Sequence, residues 1–184
     1  MNARLRQSVQ NCIWPENLSS GHKVYALLDG ARDARISYEI DSTFCEHDCL
    51  YAGSLPIELQ RAAPYIVQVD SDDRLARWIL DNGWGNSWGV FLRSDIGLRS
   101  LRKHLRTFLR VKDQRGNRLV FRYYDPRVLS VYLPTCTLSE LQTVFGPIHS
   151  FVTEVQSGSQ AIEWVLEHPA APKLDKIVHE LGKG

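Results

Sequence analysis

Short apolar runs and longer amphipathic stretches alternate along the chain. The first run, "VYALL" at 24–28, has no polar position, as a strand covered on both faces requires, and Asp29-Gly30 closes it as a turn. "DARISYEID" at 33–41 predicts a short helix and "CLYAGSLP" at 49–56 a strand-like run. "IELQRAAP" is a helical turn stopped by Pro64, and "YIVQV" at 65–69 is strongly β-prone.

Two stretches have clear helical periodicity. In "DSDDRLARWILDNGWG" (70–85), Leu75, Trp78 and Ile79 share one face, Asp70 or Ser71 can cap the start, and Gly83 and Gly85 end it. After a strand, "WGVFLR", the segment "GLRSLRKHLRTFL" (97–109) places Leu98, Leu101, Leu105, Phe108 and Leu109 on an apolar stripe, with arginines and a lysine on the other faces.

A β-hairpin is expected over 108–124, turning at Asp-Gln-Arg-Gly. Asp125 caps a short helix with Pro126 at its first position, and Pro134 ends it. Thr137 and Glu140 form a capping box for a helix closed by Gly146. "SFVTEV", "QSGS" and "AIEWVLEH" read as a second hairpin. A final amphipathic helix, "KLDKIVHEL" (173–181), follows the break "HPAAPK".

This order predicts an α/β fold: a mixed β-sheet flanked by helices, with a small C-terminal hairpin-plus-helix appendage. The expected divisions are a polar N-terminal leader (1–22), a core domain (23–151) and a short C-terminal hairpin and helix (152–184). No apolar block has the length of a signal peptide or a membrane span, so no membrane association and a cytoplasmic location are expected. The four cysteines do not make a disulfide framework in a chain of 184 residues and are expected as thiols, with Cys136 in the core.

A net charge of +1 conceals a strong asymmetry. Residues 93–127 hold eleven Lys/Arg against three Asp, a local net of +8, and the rest of the chain carries −7. Such polarity can steer an acidic partner to one region, although a helix packed on a core with a solvated basic face has the same composition.

Three patterns suggest chemistry. Gly85-Asn86-Ser87-Trp88-Gly89 spells G-x-S-x-G, but a hydrolase serine needs a strand before it and a helix after it. Here the helix comes first, so the glycines are better read as turn residues and Ser87 as a loop residue. "CEHDC" (45–49) gathers two thiols, a histidine and two carboxylates without the second ligand pair of a structural zinc site; no metal or other cofactor is expected. Asp29 ends a strand, where α/β proteins place ligand residues, yet no Gly-rich phosphate loop surrounds it. The basic helix 98–110 offers arginines to phosphates, with Tyr123 and Tyr124 for stacking, which leaves a nucleic-acid-binding module as the alternative function.

"VYALLDGA", "LYAGSLPIELQRAAPYIVQV", "WGVFLRS" and "LRKHLRTFLRVKDQRGNRLVFRYYDPRVLSVYLPTC" followed by "ELQTVFGPI" resemble the type VI secretion adaptor family of effector chaperones, over about residues 24–151. "FRYYDPRVLSVYLP" is the most specific part. The resemblance implies a non-enzymatic cytoplasmic protein that binds a toxic effector and helps load it onto the VgrG spike protein. Many relatives carry a longer variable C-terminal region, so effector choice here falls to the core or to the residues after Phe151.

Within the shared block, Phe121, Tyr123, Leu129, Tyr132 and Leu133 are expected in the core. The residues offered to a partner are Arg99, Arg102, Lys103, Arg106, Arg110, Arg122, Tyr124 and Arg127, with Arg122 and Arg127 also able to pair with Asp125.

Overall fold

The computed structural model describes residues 1–113, 115–167 and 173–181. Its elements in chain order are α1 (Ala3–Ile13), β1 (Lys23–Asp29), α2 (Arg35–Asp41), β2 (His47–Cys49), α3 (Ile57–Arg61), β3 (Pro64–Gln68), α4 (Arg74–Gly83), β4 (Gly89–Ser94), α5 (Leu98–Thr107), β5 (Arg110–Lys112), β6 (Arg118–Val120), α6 (Pro126–Tyr132), α7 (Leu138–Phe145), β7 (Ile148–Val155), β8 (Gln160–Leu166) and β9 (Leu174–Glu180). Seven strands form one sheet in the order β2-β3-β1-β4-β7-β8-β9, and β5 and β6 form a separate hairpin. The expected α/β class holds, and strand directions are uniform rather than mixed: every pairing is antiparallel.

The unbroken apolar run in β1 is explained by two cores. Val24, Ala26 and Leu28 point to one face, where α1, α2 and α4 contribute Val9, Ile13, Ile36, Ile40, Leu75 and Ile79. Tyr25 and Leu27 point to the other, beneath Leu98, Leu101 and Leu105 of α5, Leu129 of α6 and Leu141 and Phe145 of α7. Because strand side chains alternate, a strand sandwiched between helix layers must be apolar at every position. Of the expected core residues, Tyr123, Leu129 and Leu133 are fully buried, and Phe121, Tyr132 and Cys136 pack at the edge of the second core.

The caps behave as read. Asp125 accepts a hydrogen bond from the N–H of Arg127, and Thr137 and Glu140 form the reciprocal capping box. At α4 the start is later than expected. Asp73 is the cap residue, and its carboxylate folds back to accept from the N–H of Asp70 at 2.7 Å.

Two expectations are corrected. Residues 174–180 form β9, not a helix, and pair along their whole length with β8. Lys176 lies over the Trp164 ring, 5.7 Å from its centroid. Of the strand-like run expected at 49–56 only Cys49 lies in a strand, as the last residue of β2; residues 50–56 form none. The "HPAAPK" break (mostly 168–172) and one residue of the 113–116 turn lie outside the described residues.

The polar leader contains a docked helix. Asn2 caps α1 by accepting from the N–H of Leu5 at 2.8 Å, and Val9, Cys12 and Ile13 are buried. Arg93, in the middle of the sheet, receives the other end. It donates to the last carbonyls of α1, those of Cys12 and Ile13, while pairing with Glu163 and with Ser150 Oγ. Among the described residues, no helix is long and apolar enough to cross a membrane.

Candidate functional site

Helix α5 buries Leu98, Leu101 and Leu105, sets His104 against the Val144 carbonyl of α7, and turns its cations outward. Arg99, Arg102, Lys103, Arg106 and Thr107 line a shallow cleft of about 400 Å³. Only one of its cations is committed. Arg102 donates to the carbonyls of Cys49 (2.7 Å) and Tyr51 (3.3 Å) and lies 3.1 Å from an Asp48 carboxylate oxygen.

Among the described residues, Arg99, Lys103 and Arg106 make no hydrogen bond or ion pair. They are spaced four and three residues apart, so they share one helix face. Arg110 sits beyond the cleft on β5, where Lys112 and, across the hairpin, Arg118 continue the exposed positive strip. Charges on such a surface are felt over roughly 8–10 Å at physiological salt, enough to select a partner in contact but not at long range.

Arg122, Tyr124 and Arg127 belong to a second group. Asp125 is 2% exposed, and its two oxygens accept from the Arg127 N–H (3.0 Å), Nε (2.9 Å) and Nη2 (2.6 Å), and from Arg122 Nη2 (3.2 Å). Arg122 Nη2 also reaches Asp29 Oδ2 at 3.1 Å, while Asp29 Oδ1 accepts from the N–H of Ala31. Burial pushes the Asp125 carboxyl up, but the Arg127 hydrogen bonds and the two guanidinium charges outweigh it and hold the group below the usual aspartate range. Asp29 is therefore a structural carboxylate here, one that ties the end of β1 to the α6 cap. The outer faces of Arg122 and Arg127 remain about half exposed.

Tyr124 is 3% exposed, so its ring is part of the core and not of the surface. Burial pushes its hydroxyl well up, with a further contribution from Tyr51, to which it is hydrogen bonded. Tyr51 thereby joins the two groups, since its carbonyl accepts from Arg102 of α5. Tyr123 is completely buried, its hydroxyl donating to the Leu105 carbonyl. Neither ring can stack on a base, which removes the aromatic half of the nucleic-acid reading.

The G-x-S-x-G loop wraps around a carboxylate that sequence reasoning missed. Glu154, 8% exposed on β7, accepts from the N–H groups of Gly85 and, at 2.6 Å, Ser87. Gly85 (φ 88°) and Ser87 (φ 55°) both adopt the left-handed conformation that turns these N–H groups inward. Trp84 Nε1 closes the loop on the Gly158 carbonyl at 3.0 Å. The signal in the sequence was a glutamate at an inward position of "SFVTEV".

In "CEHDC" the groups are turned to separate tasks. His47 Nδ1 lies 2.9 Å from the Cys45 carbonyl, and the Cys45 thiol reaches Asp73 at 3.7 Å. Burial pushes both the Cys45 and Cys49 thiols up, away from thiolate chemistry. Among the described residues no group of three or more His, Cys, Asp or Glu side chains is placed to hold a metal ion.

No curated protein matches the chain, and no solved structure does. One family does, that described as a domain of unknown function, DUF4123, over residues 24–143. The match spans both groups of arginines, the α5 cleft and the "FRYYDPR" cluster, together with strands β1 to β4 of the main sheet and the β5–β6 hairpin, more than half of the chain; the protein is a member of the DUF4123 family.

Proposed function

We propose that this protein is a non-enzymatic adaptor of type VI secretion, which binds a toxic effector in the cytoplasm and promotes its loading onto the VgrG spike protein. Membership of the DUF4123 family, a group associated with type VI effectors, supports the secretion context. The observation that carries the binding role is the α5 cleft. Three cations on one helix face lack any partner within the described residues, and an arginine-lined depression of this kind fits an acidic segment of another protein.

The chemistry elsewhere agrees with an adaptor. The serine of the G-x-S-x-G loop holds a buried glutamate, and the carboxylates of the Asp29–Asp125 cluster are occupied by arginines. The test is pull-down with candidate effectors and VgrG proteins from the same gene cluster, using wild type and the triple charge reversal Arg99→Glu, Lys103→Glu, Arg106→Glu. Loss of either partner with an unchanged melting temperature is the expected result. Retention of both overturns the assignment of this surface, and copurifying nucleic acid that the triple variant loses would favour a nucleic-acid module instead.

A further inference from the structure

An antiparallel sheet has two edges, and this protein treats them differently. At β2 only three residues pair with β3, and the outward carbonyls on either side of His47 are already taken. That of Cys49 accepts from Arg102 Nε, that of Tyr51 from Arg102 Nη2, and that of Cys45 faces His47 Nδ1. Blocking a short edge in this way prevents pairing with another chain.

Among the described residues the β9 edge has no such protection. Ladder bonds between Glu167 N and the Lys173 carbonyl, and between Leu181 N and the Ser159 carbonyl, fix which residues face β8. They are the odd-numbered ones, so the backbone groups of Leu174, Lys176, Val178 and Glu180 point away from the sheet. Among the described residues the one hydrogen bond to these outward groups is from Lys176 N to its neighbour Asp175, at 3.1 Å. Ile177 and Val178 are 42% and 48% exposed. Nothing here resembles the capped carbonyls of β2.

We infer that β9 pairs antiparallel with β9 of a second copy, about a two-fold axis through Ile177, to form one continuous sheet. The strand is its own complement in that register. Outward residues meet outward residues, Leu174 against Glu180 and Lys176 against Val178, so the bare N–H and carbonyl groups are satisfied in pairs. Asp175 faces His179 on both sides of the axis, and Ile177 faces its own copy in the closer, non-hydrogen-bonded type of pair.

The neighbouring registers that keep the backbone in phase are poorer. Moving the axis to Lys176 sets that cation against itself. Moving it to Val178 sets Lys176 against Glu180, but Glu180 already accepts from Gln160 within the chain, the overlap is shorter and Asp175 loses His179. Edge strands also invite strands from unrelated proteins, but self-pairing of charge and length selects a second copy of this chain.

Sedimentation equilibrium from micromolar to millimolar protein, with two cysteine variants under mild oxidation, tests this. Wild type should show a reversible dimer. Ile177→Cys should trap it as a reducible covalent dimer, because Cα atoms in such a pair lie about 4.5 Å apart. Val178→Cys should not, since a strand rise of about 3.4 Å per residue leaves its two copies too far apart to bridge. Val178→Pro should be monomeric and still folded, with a melting temperature that no longer depends on protein concentration, because the Val178 N–H makes no bond among the described residues. A wild type that stays monomeric, a dimer retained by Val178→Pro, or cross-linking through Val178→Cys in preference to Ile177→Cys would each overturn the inference.

Discussion

Arg93 of β4 and Glu163 of β8 form an ion pair across the intervening strand β7, with side chains only 8% and 14% exposed. The same guanidinium caps the C-terminus of α1 through the carbonyls of Cys12 and Ile13. One buried arginine thus serves as the C-cap of a helix that has no basic residue in its last turn.

Arg93→Met should cost about 3–5 kcal/mol, because it strands a buried carboxylate and two helix carbonyls at once. Adding Glu163→Met should return part of that loss, since the stranded charge goes while the carbonyls stay bare. Urea denaturation of both singles and the double measures the coupling; simple additivity would show that the pair does not act as a unit.

The α5 cations divide by what they touch. Arg102→Ala removes hydrogen bonds to two carbonyls at the β2 edge and should lower stability by about 1–2 kcal/mol; its half-exposed partner Asp48 adds little. Arg99→Ala and Lys103→Ala remove nothing and should leave the melting temperature unchanged while weakening capture of an acidic partner. Thermal melts beside pull-downs make the comparison. Charge reversal at Arg102 would confuse the two effects, which is why the triple variant excludes it.

Asp125 predicts a pH dependence. Its folded pKa lies below the ordinary 3.8, so its stabilisation is fully present above that value and is lost as pH falls through the lower, folded one. Asp125→Asn keeps a capping oxygen but leaves Arg122 and Arg127 without their carboxylate. The variant should be about 1–2 kcal/mol less stable at pH 7, and the gap should close at a pH low enough to protonate Asp125 of the wild type. Urea midpoints at neutral and strongly acidic pH report it, and a gap independent of pH would mean that the charge is irrelevant.

The legible parts of the fold were those where local and tertiary demands agree. The stripe of α5, the cap of α6 and the capping box of α7 are each complete within a short window. β9 was misread because Leu174, Ile177, Val178 and Leu181 have helical spacing, while the reason for a strand is the edge of β8, far outside the window. Helix α1 was missed because its docking depends on Arg93, eighty residues away. At the candidate site, pairing of Arg122 and Arg127 with Asp125 was readable from adjacency. The burial of Tyr124 was not, since its cover comes from Tyr51 and the second core.

The G-x-S-x-G loop gives the last prediction, because its letters and its geometry disagree. Ser87 holds Glu154 through its own N–H, and a serine so placed should not react with a fluorophosphonate probe; specific labelling of Ser87 would reopen the hydrolase reading. The glycines should matter more. A Cβ at Gly89 would lie 1.9 Å from the Leu27 carbonyl oxygen, at the end of the β1–β4 ladder, where Gly89 pairs with Leu28 and the obstacle is paired backbone. A Cβ at Gly85 would meet the Ser157 carbonyl oxygen at 2.9 Å and would also force an alanine to φ 88°. Gly89→Ala should therefore abolish soluble expression, Gly85→Ala should cost about 1–3 kcal/mol, and Ser87→Ala, which keeps the N–H to Glu154, should cost less than either. Soluble yield and urea midpoints rank the three, and a Ser87→Ala variant less stable than Gly85→Ala would show that the hydroxyl, not the backbone turn, holds the loop.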